Sequence, residues 1–258
     1  MSAARLNRGP VPLGRAARGV WRLGRAVLHG LHGLFVVLVL FPSLQQAGRE
    51  ARIRWWSAKM FRMLGMTLHL SGSFRPGAKL LVANHLSWLD IMAVHAACPE
   101  ARFVSKAEVK AWPLVSRLVD SARTLYLERG RARDALRVVH QAAEALAAGD
   151  TVAVFPEGTV GDGHALLPFH ANMLQAAIVG ATPVQPVALR YSDSANAVSP
   201  AALFTGDITL KQSLWWLACG DGVGVHLTVL TAIASAHADR RALCERLRGE
   251  IGTALGLG

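Results

Sequence analysis

Asn84-His85-Leu86-Ser87-Trp88-Leu89-Asp90 follows directly on the apolar run Leu80-Leu81-Val82-Ala83. A short apolar run that ends in polar, turn-forming residues reads as a buried strand, and the stretch from Leu86 to Val94 reads as the start of a helix. Further along, Phe155-Pro156-Glu157-Gly158-Thr159 closes a second apolar run, Val152-Ala153-Val154. Pro and Gly in that segment shape a tight turn after a strand. A histidine and an aspartate five residues apart on one ideal helix would point about 140° apart. Their side chains meet only if His85 sits in the strand-to-helix turn and Asp90 in the first helical turn. A lone His-x4-Asp is a weak signal, and the ordered pair of motifs is a strong one.

The same alternation extends on both sides. Strands are expected at Leu80–Ala83, Arg102–Ser105, Thr124–Leu127, Val152–Phe155, Val184–Leu189 and Val223–Leu230. Helices are expected near 90–97, 110–120, 131–148, 168–180 and 237–255. Strands alternating with helices imply an α/β fold, a mostly parallel sheet with helices on both faces. Active sites in such sheets lie beyond the C-terminal ends of the strands, and both motifs fall there. An N-terminal membrane-associated helical segment precedes this unit. The chain divides into a flexible basic stretch (1–25), membrane-anchoring helices (26–70) and a catalytic domain (71–258).

The chain has 258 residues, 52% of them hydrophobic and only 17% charged, with a net charge of +11. That balance is apolar for a soluble protein and suggests an anionic partner. Arg5, Arg8, Arg15, Arg18, Arg22 and Arg25 all precede the first acidic residue, Glu50. Arginines beside a membrane are drawn to anionic lipid by about 1 kcal/mol each. The apolar run from 26 to 41 is shorter than the roughly 20 residues of a full span. Basic residues flank it on both sides, against the positive-inside tendency of a single crossing. A monotopic or hairpin anchor, with both flanks on the cytoplasmic face, fits better. Residues 50–70 read as a second helix, with Trp55 and Trp56 suited to the headgroup layer. Cys98, Cys219 and Cys244 are scattered, so neither a disulfide framework nor a zinc site is indicated.

Several classes are disfavoured. There is no G-x-S-x-G, no H-E-x-x-H and no GxxxxGK[ST]. The positive charge clusters beside an apolar anchor rather than forming a nucleic-acid footprint. The non-enzyme alternative is an inactive membrane-binding module, against which the intact His85 and Asp90 argue.

The ordered pair NH-x4-D and FPEGT resembles the glycerolipid (1-acylglycerol-3-phosphate) acyltransferases, over about residues 80–190. The resemblance implies transfer of a fatty acyl group from a thioester, acyl-CoA or acyl-carrier protein, to the free hydroxyl of a lysolipid. It implies no metal or other cofactor, membrane lipids as partners, and the cytoplasmic face of a bacterial inner membrane. His85 would be the base for the lipid hydroxyl, with Asp90 fixing its tautomer. Glu157, Gly158 and Thr159 would help bind the acceptor, although Val160 stands where Arg or Ser is usual. Leu125-Tyr126-Leu127-Glu128-Arg129 matches a strand that ends in an acidic residue and Arg, and Arg129 would bind phosphate. Pro183-Val184-Gln185-Pro186-Val187 is a weaker, apolar match. The stretch Phe155–Ala177 looks closest to a bacterial branch that includes lyso-ornithine-lipid acyltransferases, whose acceptor carries no phosphate. Val160 and His170, the latter where Lys is common, suit that acceptor. Lysophosphatidic acid ranks slightly ahead as the expected acceptor, giving phosphatidic acid.

Overall fold

A computed structural model describes residues 11–106, 109, 113–127 and 132–257. Two N-terminal helices, α1 (Leu13–Phe35) and α2 (Gln46–Met63), lead into the sheet. Its strands are β1 (Met66–Ser71), β2 (Lys79–Ala83), β3 (Ala101–Lys106), β4 (Leu125–Leu127), β5 (Thr151–Val154), β6 (Val184–Ser192) and β7 (Val223–Val229). Between and after them run α3 (Leu89–Ala97), α4 (Pro113–Ser121), α5 (Ala132–Ala147), α6 (Leu174–Val179), α7 (Leu210–Cys219) and α8 (Arg240–Leu255). The strand order is β1-β7-β6-β2-β5-β3-β4. Among these strands of the described residues, the β6–β7 pair is antiparallel and the other pairs are parallel. The sheet is therefore mostly parallel, as the alternating pattern predicts.

Period-2 alternation splits the strand side chains between two cores. Leu81, Ala83, Phe103, Ala153, Val187, Leu189 and Tyr191 pack with residues of α2, α3 and α7. Leu80, Val82, Val152, Val154, Val184 and Ala188 pack with residues of α5, α6 and α8. Because β2 and β5 are covered on both faces, they read as continuous apolar runs. Each buried Leu or Val in these layers stabilises the fold by about 1.5–3 kcal/mol. Lys79 opens β2 at 2% exposure, and its ammonium donates to Thr151 Oγ1 at 2.8 Å.

The N-terminal region departs from expectation. The helix begins at Leu13, inside the stretch read as flexible, while Arg5 and Arg8 lie outside the described residues. Arg15 and Arg18 pair with Asp221, and Arg22 donates to the carbonyls of Ala218 and Gly220 at 3.1 and 2.7 Å. These arginines neutralise the C-terminal end of α7, where helix carbonyls lack partners. The apolar side chains Val20, Trp21, Val27, Leu28, Leu31 and Phe35 are turned outward, each more than half exposed. α1 continues through a π turn and a 3₁₀ turn, so that Leu13–Ser43 is one stretch long and apolar enough to cross a membrane by length and composition.

The second helix ends at Met63, not near residue 70. Gly65, at φ +77°, breaks it, and Met66–Ser71 becomes the edge strand β1. The sheet thus takes in residues assigned from sequence to the anchor. α7 was absent from the expected elements. It is started by a capping box between Thr209 and Gln212.

Candidate active site

β2 lies in the middle of the sheet between β5 and β6. The two motifs follow the C-terminal ends of β2 and β5, so they sit side by side. Asn84 fixes the first turn. Its amide Nδ2 donates to Leu189 O at 2.9 Å, and its Oδ1 accepts from Leu189 N at 2.8 Å. That pairing extends the β2–β6 ladder by one side chain.

His85 then occupies the turn, and Asp90 is the second residue of α3. The ring atom Nδ1 of His85 lies 2.7 Å from Asp90 Oδ2. The same oxygen accepts from the backbone N–H of Leu86 at 2.7 Å and of Ser87 at 2.9 Å. Asp90 Oδ1 accepts from the Tyr191 hydroxyl at 2.6 Å. The carboxylate is fully buried and is the acceptor in all four contacts. Nδ1 therefore carries its proton toward Asp90, and Nε2 is left as the basic nitrogen. The His85 side chain is 20% exposed. Phe155 stacks on the ring with centroids 4.1 Å apart, and Phe103 stacks behind Phe155 at 5.5 Å. An imidazole stacked on one face and hydrogen-bonded at Nδ1 has one orientation.

Glu157 is 4% exposed and joins the two motifs. Its Oε1 accepts from His85 N at 2.8 Å, and its Oε2 accepts from Leu167 N at 3.0 Å. Burial pushes its carboxyl above the ordinary range, and the two amides pull it partly back. Both oxygens are thereby engaged in holding the backbone. The Gly161 amide adds a bond to His85 O at 2.7 Å.

Gly158 and Thr159 are exposed at the tip of the turn. Gly158 has φ +67°, a conformation that disfavours any Cβ. Its N–H closes the turn on Phe155 O at 3.1 Å, so that amide is committed and does not face outward. The His170 ring lies over Gly158, within van der Waals reach of a side chain placed there. Arg129, the expected phosphate contact, falls outside the described residues, as does Glu128.

Tyr191, Phe155 and the pairing of Asn84 have no counterpart in the sequence reading. Tyr191 was open to inference: Val187, Leu189 and Tyr191 share one buried face of β6, and a buried tyrosine needs a partner for its hydroxyl. That partner is Asp90, 101 residues away along the chain. Among the described residues, no cluster of three or more His, Cys, Asp or Glu is placed to hold a metal ion.

A buried carboxylate orienting an imidazole whose Nε2 is the basic nitrogen defines a general-base site, and among the described residues no side-chain nucleophile is hydrogen-bonded to that ring. Comparison with known proteins gives that geometry its family. Residues 67–190 match the Acyltransferase family model. A lyso-ornithine lipid O-acyltransferase of Pseudomonas aeruginosa is 36% identical over 80% of this chain and 79% of its own length. A 1-acyl-sn-glycerol-3-phosphate acyltransferase of Neisseria meningitidis is 32% identical over 73% of each chain. The crystal structure of PlsC, the 1-acyl-sn-glycerophosphate (LPA) acyltransferase of Thermotoga maritima, superposes with a TM-score of 0.64 at 22% identity. It covers 91% of this chain and 96% of that one. The chain belongs to the acyltransferase family and is an acyl-transferring enzyme.

Proposed function

We propose that the protein transfers a fatty acyl group from a thioester of coenzyme A or of acyl-carrier protein to the hydroxyl of a lysolipid at the membrane surface. The observation that carries this reading is the 2.7 Å His85–Asp90 contact, which leaves Nε2 as the basic nitrogen of a ring stacked on Phe155 of the FPEGT turn. Nε2 takes the proton of the lipid hydroxyl as its oxygen attacks the thioester carbonyl, forming the new C–O bond. Asp90 stabilises the imidazolium that results. The tetrahedral intermediate collapses, the C–S bond breaks, and the imidazolium returns its proton to the leaving thiolate. Glu157 acts by holding the His85 backbone, and Gly158 and Thr159 border the acceptor.

The acceptor we propose is 1-acyl-sn-glycerol 3-phosphate. The net charge of +11, the match at Arg129 and the Neisseria relative support it. A second reading, lyso-ornithine lipid, is favoured by Val160, by His170 over the turn and by the Pseudomonas relative. Purified enzyme offered both lysolipids with labelled acyl-CoA separates the two. Under the first reading lysophosphatidic acid is acylated faster and glycerol 3-phosphate inhibits competitively. Faster acylation of lyso-ornithine lipid, with no effect of glycerol 3-phosphate, establishes the second and leaves the chemistry at His85 intact.

The outward apolar side of α1 supports attachment to one leaflet, at the cytoplasmic face of a bacterial inner membrane. Its residues 18–22 pack on α7, and its His29 exchanges hydrogen bonds with Trp56 of α2 at 3.0 Å. With α1 held to α7 and α2 at these places, residues 30–43 are left free, about 21 Å of helix at 1.5 Å per residue, short of the roughly 30 Å hydrocarbon core. Reporters at residues 2 and 258 are expected on the same, cytoplasmic side. High salt should leave the protein on the membrane, because apolar burial rather than charge supplies the binding. Reporters on opposite sides would overturn the one-leaflet anchor.

A further inference from the structure

We propose that Tyr191 is a positioning residue for this acyl transfer: its buried hydroxyl holds the second carboxylate oxygen of Asp90 and so sets how Asp90 supports the His85 imidazole. The proposal rests on the acyltransferase reading and names a residue on β6, remote in sequence from both motifs.

The geometry is one-sided without Tyr191. Three donors converge on Asp90 Oδ2: the His85 ring and the amides of Leu86 and Ser87. Oδ1 has the Tyr191 hydroxyl, at 2.6 Å. The carboxylate torsion of Asp is broad and nearly two-fold. A carboxylate held by one oxygen alone can tilt, and Oδ2 is shared between the turn and the ring. A donor on Oδ1 fixes the plane.

Tyr191 is built to stay a donor. Its side chain is fully buried in the layer of α2, α3 and α7, so it cannot swing to water. Burial and the neighbouring Asp90 push its phenol well above the ordinary range, so the proton stays on oxygen. A neutral donor to Asp90 also draws off part of the carboxylate's charge. Charge drawn toward Tyr191 is not available to the imidazolium that forms during catalysis. The hydroxyl thus moderates the pair as well as aligning it. Tyr191 interacts electrostatically with Asp90, and Glu157 interacts with both His85 and Asp90. Glu157 is bound by two backbone amides that do not involve Tyr191.

Tyr191→Phe keeps the ring and removes the hydroxyl. The full chain in detergent, with histidines isotope-labelled, allows two readouts. In activity, kcat is expected to fall about tenfold with KM little changed, the cost of a carboxylate left free to tilt and misalign the ring. The acid limb of the pH–rate profile moves to higher pH. By NMR, the His85 ring, assigned from its absence in His85→Ala, is expected to gain its proton at higher pH in the variant than in wild type. Leu227→Ala, a buried change on β7 in the same layer that makes no hydrogen bond to Asp90, serves as the stability control. It should lower the melting temperature without moving either curve. A role in packing alone predicts that Tyr191→Phe behaves like Leu227→Ala, and an unmoved His85 titration refutes the proposal. If wild-type protein transfers no acyl group to any lysolipid, the acyltransferase reading falls, and the His85 titration still decides whether Tyr191 governs the pair.

Discussion

His85→Ala is expected to lower acyl transfer by about 10²–10⁴-fold, the usual contribution of a general base. The loss should appear in kcat, because the imidazole acts when the hydroxyl proton moves and does little for ground-state binding. The variant should fold. The ring is partly exposed, and its backbone contacts, to Glu157 through N and to Gly161 through O, do not involve the side chain. What is removed is the stack on Phe155 and the bond to Asp90. The stranded carboxylate keeps its two amide donors and Tyr191, so it remains solvated by the protein. Circular dichroism and a melting curve close to wild type, together with acylation of either lysolipid below about one hundredth of the wild-type rate, are the expected pair of results. A folded variant that retains more than about a third of the activity removes His85 from the base role, since general-base catalysis is worth far more than threefold.

Segments with one clear period were legible. β2 and β5 are apolar runs because each is covered on both faces. The turn after each was marked by residues that cannot continue a buried strand: Asn84-His85 in one case, Pro156 and Gly158 in the other. The requirement that His85 lie in the turn and Asp90 in the first helical turn follows from helix geometry alone, and the structure places them so. The misses have local causes. Met66, Leu68 and Leu70 alternate with Thr67, His69 and Ser71, a strand pattern. It adjoins a helical pattern that ends only at Gly65, and the two were read as one element. α7 has its capping signature in Thr209 and Gln212, yet only a 3.6-residue apolar stripe would have announced it, and Leu214-Trp215-Trp216-Leu217 is apolar all round. The partner of Arg15 and Arg18, Asp221, lies some two hundred residues away, so their pairing could not be read from neighbouring sequence. The resemblance assigns Glu157 to the acceptor, and spacing gives no sign of the backbone contacts it also makes. Its partners are backbone amides, and main-chain hydrogen bonds leave no mark in a sequence. Long-range pairing of polar side chains, as between Tyr191 and Asp90, is the part of the site that composition and spacing do not carry.

Asp90→Asn tests the other half of the pair and should be nearly as severe. The amide has the shape of the carboxylate, so the variant can be placed in the existing cage. One orientation puts the amide oxygen where Oδ2 stood, accepting from the His85 ring and the amides of Leu86 and Ser87. Its NH₂ then meets Tyr191, whose hydroxyl can rotate to accept. The opposite orientation sets an NH₂ against three donors and is excluded. The fold and the ring orientation therefore survive, and what disappears is the negative charge. The reaction needs that charge only when His85 becomes positive, so the loss falls on the transition state and kcat drops by about 10²–10⁴-fold. Substrate binding, and so KM, should change little. The decisive measurement is the double variant. If Asp90 works only through His85, then His85→Ala with Asp90→Asn is no slower than His85→Ala alone, because residues that act as a unit are not additive. A double variant slower than either single by the product of their effects would give Asp90 an independent role. Near-normal turnover in Asp90→Asn would reduce the carboxylate to a cap for the turn between β2 and α3, leaving His85 to act without it.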